Sequence, residues 1–225
     1  MEIGGKDYQA LVFDFDGVLA DSVEVKTAAF KAVFQEWGDA VQQKVAEHHL
    51  NHGGMTRTEK FVYYYKAFLG RKLGEEGLET LCRKFSSLVV EKVISAPEIP
   101  GAGAFLDRCR AEGIPCFVDS ATPDAELAVI IRKRGIAGYF REILGADRSK
   151  RENLEWILET YGLEGEDCLF FGDAGSDYDA ASGCGSDFLG ILPNSEAPLL
   201  KAHPDITWAR DFIEVEKGDF YGRAG

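Results

Sequence analysis

The hydrophobic pattern divides the chain into three stretches of different period. Ala10–Phe15 (ALVFDF) is a short apolar, β-rich run that ends in carboxylates, and it predicts a buried strand. From about residue 22 to residue 96 the spacing is helical throughout. Helices are predicted at Val23–Trp37, Ala40–Asn51, Thr58–Leu69 and Glu75–Ser95, with breaks at Gly53-Gly54 and Gly70. The run PEIPGAG at 97–103 ends that pattern. Beyond it, predicted strands at Ile114–Asp119, Glu142–Gly145, Cys168–Asp173 and Phe188–Leu192 alternate with helices. Those helices are predicted at Ala102–Glu112, Pro123–Arg134, Lys150–Tyr161, Ser176–Cys184 and Ala197–Ala202.

Strand–helix alternation implies a parallel sheet with helices on both faces. The first strand belongs with the later ones, so the expected fold is α/β, with a core from residues 1–20 and 97–225 and an all-helical insertion at 21–96. Open parallel sheets bind ligands beyond the carboxyl ends of their strands. Asp14, Ser120 and Asp173 fall at or just past such ends.

Composition narrows the class. The 45% hydrophobic and 28% charged content fits a soluble globular protein, and no apolar run approaches the ~20 residues of a membrane span. Residues 1–10 lack the apolar stretch of a signal peptide, so a cytoplasmic location is expected. The five cysteines are scattered without a C-x-x-C pair and read as reduced thiols. A net charge of −13 opposes binding to nucleic acid or anionic membranes. It equally requires any phosphate site to carry its own local positive charge.

Four places carry candidate chemistry. Asp14-Phe15-Asp16-Gly17 sets two carboxylates at a strand end before a glycine that permits a sharp turn. Carboxylates and a carbonyl are the hard oxygen ligands magnesium prefers, and a carboxylate can attack phosphorus. A helix cap or Asx turn is the plainer explanation of the same tetrapeptide. Gly172-Asp173-Ala174-Gly175-Ser176-Asp177-Tyr178-Asp179 gathers three acids after a strand, which repel unless a cation neutralises them. Helix-dipole preference accounts for one of the three but not for Asp173 at the strand end. Ser120, with the backbone N–H of Ala121 ahead of a predicted helix, can form an anion cradle; an N-cap at Thr122 is compatible with this. Lys150 opens another predicted helix, the end where the dipole disfavours a cation.

In order and separation, DFDGVLADS at 14–22, Ser120, Lys150 and GDAGSD at 172–177 resemble the motifs of the haloacid dehalogenase-like (HAD) superfamily. The helical stretch after the first motif resembles the cap of the subgroup containing phosphoglycolate phosphatase and β-phosphoglucomutase. The resemblance implies a Rossmann-like core, a cap that closes over substrate, Mg²⁺ as cofactor and a small phosphorylated metabolite as partner, in a monomer or homodimer. Carried over by position, it makes Asp14 the nucleophile and Asp16 the general acid/base. Ser120 holds the phosphoryl group, Lys150 neutralises it, and Asp14, Asp16, Asp173 and Asp177 serve the metal. Asp16 favours phosphate ester hydrolysis, because relatives that break carbon–halogen bonds lack an Asp there. Two departures are Ala174, where many relatives have Ser or Thr, and the acid Asp119 just before Ser120. A phosphomutase shares these residues, and a non-catalytic scaffold shares the fold.

In the cap, Arg57, Lys60, Phe61 and Tyr64 fall at i, i+3, i+4 and i+7 of one predicted helix. Arg57 and Lys60 are candidate contacts to the non-reacting end of the substrate; the alternative is a solvated basic edge beside an aromatic core. His48 and His52 lie one turn apart without a third zinc ligand and read as ordinary histidines.

Overall fold

The computed structural model describes residues 1–222. A short antiparallel hairpin, β1 (Glu2–Ile3) and β2 (Lys6–Asp7), leads into β3 (Ala10–Phe13). Four helices follow without a strand: α1 (Val23–Val33), α2 (Asp39–Asn51), α3 (Arg57–Leu69) and α4 (Glu75–Ser95). The chain then alternates through α5 (Ala102–Ala111), β4 (Cys116–Asp119), α6 (Asp124–Lys133), β5 (Phe140–Leu144), α7 (Lys150–Tyr161), β6 (Cys168–Gly172), α8 (Gly175–Gly183) and β7 (Asp187–Ile191). It ends with α9 (Pro198–Ala202), β8 (Trp208–Ala209) and α10 (Phe212–Lys217). The main sheet is parallel, in the order β5-β4-β3-β6-β7-β8.

All four residues of β3 are buried, because the sheet is covered on both faces. Leu11 and Phe13 face one side, where Phe13 stacks on Phe171 at 5.0 Å and meets Phe105 of α5 and Phe212 of α10. Ala10 and Val12 face the other, against Leu154 and Ile157 of α7. From β3 the chain builds outward first through β4 and β5, then on the opposite side through β6, β7 and β8. The order reverses at β3, which opens a crevice there above the carboxyl ends.

The inserted helices pack around their own aromatic centre, with Phe30 against Phe85 at 4.3 Å and Phe34 against Tyr64 at 5.6 Å. The two linkers into the insertion run side by side: Asp21 N–H donates to Pro97 C=O at 2.9 Å, and Ala20 bridges Glu98. Elsewhere, Arg134 after α6 donates to the carbonyls of Val93 (2.8 Å) and Ala96 (2.7 Å). It thereby satisfies backbone acceptors that the end of α4 leaves open.

Candidate active site

Three adjacent strands deliver the core residues. Asp14 follows β3, Ser120 follows β4 and Asp173 follows β6, all lining one cleft of about 1060 Å³ between the sheet and the inserted helices. Gly17 has φ +83°, and a Cβ there would lie 2.3 Å from Asp173 Oδ2. Only glycine permits both the turn after Asp16 and the approach of the two acidic loops.

Asp14 is buried, accepts from the Phe15 N–H at 2.7 Å, and meets Lys150 Nζ at 3.0 Å. Burial pushes its carboxyl up to about 7 against the pull of Lys150. Asp173 is raised well above the usual carboxylate range by burial and then by Asp14 and Asp177. One oxygen each of Asp14, Asp173 and Asp177 can lie within 4.8 Å of one another. Such crowded oxygen ligands suit a small hard cation such as magnesium. Within this group Asp177 is the most committed: one oxygen pairs with Lys150, and the other accepts from the N–H groups of Asp173 (3.1 Å) and Ala174 (3.0 Å). It therefore shapes the Asp173 loop and anchors the lysine. Asp179, the other acid of that run, lines the cleft.

Lys150 is fixed by its helix. Ser149 caps α7 in a reciprocal box with Glu152, and Asn153, one turn on, donates to Asp119 Oδ1 (2.8 Å) and the Gly145 carbonyl (3.0 Å). Asp119, unlike its neighbour Ser120, is not part of the cleft lining. Burial holds its carboxyl well above the usual range, even with Lys150 and Asn153 acting to lower it. Despite its own burial, Lys150 is held above the ordinary lysine range by Asp14, Asp177 and Asp119. Ser120 Oγ accepts from the Thr122 N–H at 3.2 Å, and Ser120 and Ala121 both line the cleft.

Asp16 is held differently. Its carboxylate accepts from Ser22 (2.6 Å) and Thr122 (3.2 Å) and pairs with Lys26. Burial acts to raise its pKa, but Lys26 with these hydrogen bonds holds it below the usual range. Lys26, on the first turn of α1, also donates to Thr122 Oγ1 at 2.7 Å. Nothing in the sequence pattern distinguishes it from the other lysines of the insertion.

The cap pair Arg57 and Lys60 does not line this cleft. They do share one helix face with Phe61 and Tyr64, but that face is buried rather than solvated. Arg57 donates to Ser86 (2.7 Å) of α4 and forms a forked ion pair with Glu126 of α6, clasping the insertion to the core. It lines a separate recess of about 490 Å³. Lys60 Nζ lies 2.8 Å from His49 Nδ1, at hydrogen-bond distance, and it is His49, a residue sequence reasoning passed over, that reaches the cleft wall. His48 and His52 stack on each other at 3.9 Å, and His48 stacks on Tyr63.

The haloacid dehalogenase-like hydrolase family model matches residues 8–185, and the chain belongs to that family, as an enzyme of the phosphatase kind. Phosphoglycolate phosphatase of Aliivibrio fischeri is 24% identical over 212 residues, covering 89% of this chain and 92% of its own. That of Vibrio parahaemolyticus is 26% identical over 212 residues, covering 89% and 91%. Among solved structures, one described as a predicted phosphoglycolate phosphatase from Haemophilus somnus aligns with a TM-score of 0.75 at 20% identity, over 94% of this chain and 98% of that one. A β-phosphoglucomutase from Clostridium difficile aligns with a TM-score of 0.73 at 18% identity, over 94% and 96%. These structural likenesses establish the fold. Among the described residues, no helix is long and apolar enough to cross a membrane.

Proposed function

We propose that this chain is a magnesium-dependent phosphatase that hydrolyses a small cytoplasmic phosphomonoester through an aspartyl phosphate on Asp14, beneath a cap formed by residues 21–96. The observation that carries this reading is the buried Asp14 carboxylate at the end of the central strand, 3.0 Å from Lys150 and sharing its cleft with Ser120. An Asp14 oxygen attacks phosphorus as the bond to the substrate's ester oxygen breaks, and Asp16 gives its proton to the departing oxygen. Asp16 then takes a proton from the water that attacks the aspartyl phosphate, releasing inorganic phosphate and restoring Asp14. Against the effect of burial, Lys26 and the hydrogen bonds from Ser22 and Thr122 hold the Asp16 carboxyl below the usual range, which favours its role as base in this second step. Ser120, the N–H of Ala121 and Lys150 hold the phosphoryl oxygens. Asp14, Asp173 and the main chain of Asp16 would hold magnesium, with Asp177 supporting the loop, and the bound ion would neutralise further phosphoryl charge.

Hydrolysis is preferred over mutase chemistry because relatives matched over nine-tenths of their sequence are phosphatases, whereas the mutase likeness is one of fold. Their name makes 2-phosphoglycolate the first substrate to try. Release of phosphate from a panel of 2-phosphoglycolate, hexose 1-phosphates and nucleoside monophosphates, with Mg²⁺ or with EDTA, tests the reading. Mg²⁺-dependent phosphate release supports it. Isomerised sugar phosphate without phosphate release would transfer the assignment to a mutase, and no turnover of any member would remove it.

A further inference from the structure

The cleft is longer than a phosphoryl group requires, and it extends in one direction. Toward β5 it stops at Ser120 and Ala121, which follow β4. On the other side it runs past Asp173 to the residues after β7 and to Arg210 after β8. At the ordinary strand spacing of about 4.8 Å, β8 lies roughly 14 Å from β3. With about 1060 Å³ in all, the space matches the largest ordinary small-molecule sites. The added length is lined largely by apolar groups: Leu192, Pro193, Pro198 and Leu199 belong to the core, and the insertion contributes Leu50 and Met55. Leu50 is 42% exposed, a large side chain left open at the cleft wall.

The charges around this space oppose a second anion. Beyond the reacting group, the lining acids are Asp21, Glu24, Glu47, Glu59, Asp179 and Glu196. Among the described residues the lining holds one lysine and one arginine, and both are engaged. Lys26 is paired with Asp16 and donates to Thr122 at 2.7 Å, and Arg210 donates to Glu214 at 2.5 Å. Lys150 serves Asp14 and Asp177, Arg57 meets Glu126 outside the cleft, and burial keeps the His49 ring neutral. Like charges facing each other across a binding surface disfavour association.

We propose that the substrate's leaving group is an uncharged alcohol with an extended apolar body, which lies in the arm of the cleft over β7 and β8. The proposal rests on the phosphatase reading above and refines it. The phosphoryl group stays with Asp14, Ser120 and Lys150, while the apolar body displaces water from the arm. A carboxylate in that position gains no cation and faces the lining acids, so the preferred substrate differs from the one in the relatives' name.

n-Alkyl phosphates provide the test, because ethyl, butyl and hexyl phosphate have leaving groups of equal intrinsic reactivity and differ in apolar length. With Mg²⁺ present, kcat/KM of the wild type should rise about two- to fourfold per methylene from ethyl to hexyl phosphate. 2-Phosphoglycolate, which carries a carboxylate where ethyl phosphate carries a methyl group, should exceed ethyl phosphate by no more than about threefold. Ala202 is exposed on α9 and lines the arm. Ala202→Trp should therefore lower kcat/KM at least about tenfold more for hexyl than for ethyl phosphate. A shallower rise with chain length would overturn the proposal, as would a larger preference for 2-phosphoglycolate or a smaller difference in Ala202→Trp. Each of these leaves the phosphatase reading standing, and the first two need no variant. Turnover of no phosphomonoester would remove the phosphatase reading and this proposal with it.

Discussion

At the carboxyl end of the sheet, Asp14 and Asp177 share the ammonium of Lys150, with Asp173 close by. Inside the inserted helices the balance is reversed: Arg57 and Lys60 are buried with one carboxylate between them, and that one, Glu126, comes from the core. Excess negative charge in the core suits the metal ion and the Asp14 nucleophile proposed above. In the insertion, Arg57 clasps α3 to Glu126 of α6, and Lys60 is packed inside against His49 Nδ1 at 2.8 Å.

The comparison is broken most severely at the nucleophile. Asp14→Asn should remove at least about four orders of magnitude of turnover, since an amide cannot form the acyl phosphate. Its thermal transition should persist. Near-normal phosphate release by this variant would show that the acidic cluster is not the reacting group.

Arg57→Ala leaves the half-buried Glu126 with only the Ser86 hydroxyl as donor, and should cost about 2–3 kcal/mol in urea unfolding. KM should shift by similar factors for 2-phosphoglycolate and p-nitrophenyl phosphate. A selective rise for the former would instead mean that Arg57 leaves Glu126 to meet the substrate.

Lys60 gives a pH signature. Its folded pKa of about 7 lies below the unfolded value of 10.5, so the unfolded chain binds the extra proton between those limits. The resulting penalty is complete below about pH 7 and fades as pH rises. Relative to Lys60→Met, the wild type should therefore gain roughly 2–3 kcal/mol of stability between about pH 7 and 9. Parallel stability curves for the two proteins would show that Lys60 carries no such penalty.

The smallest effect sharpens the contact between the two regions. A Cβ on Gly54, in the loop between α2 and α3, would lie 1.6 Å from Ser176 Oγ at the start of α8. Gly54→Ala should lift that loop from the acidic cluster and lower kcat by roughly tenfold, as a displacement of this size does at a closed site. Unchanged kcat would show that the loop is not seated on α8 during turnover.

Much of this was legible beforehand, for reasons that differ by region. The core strands announce themselves as apolar runs ending in Asp or Ser, because a strand buried on both faces must be apolar and its chemistry can only emerge at the end. The pair β1–β2, the two-residue β8 and the six-residue α10 went unforeseen, being too short to show a period. In the insertion, helical spacing correctly grouped Arg57 and Lys60 with Phe61 and Tyr64. What that face meets depends on tertiary packing: Glu126 comes from 69 residues away. His49 and Lys26 carry no motif. The one available signal for His49 was a lysine in a stripe otherwise fit for burial, which implies a polar partner inside.

The paired linkers at Ala20–Asp21 and Pro97–Glu98 have a consequence for construction. Entry to and exit from the insertion share one doorway, joined at hydrogen-bond distance, so the helices between form a cassette. A module of another size can be spliced there without stretching either linker. The register of β3 with β4 and β6 lies wholly outside the splice, so the placement of Asp14 between Ser120 and Asp173 survives the exchange.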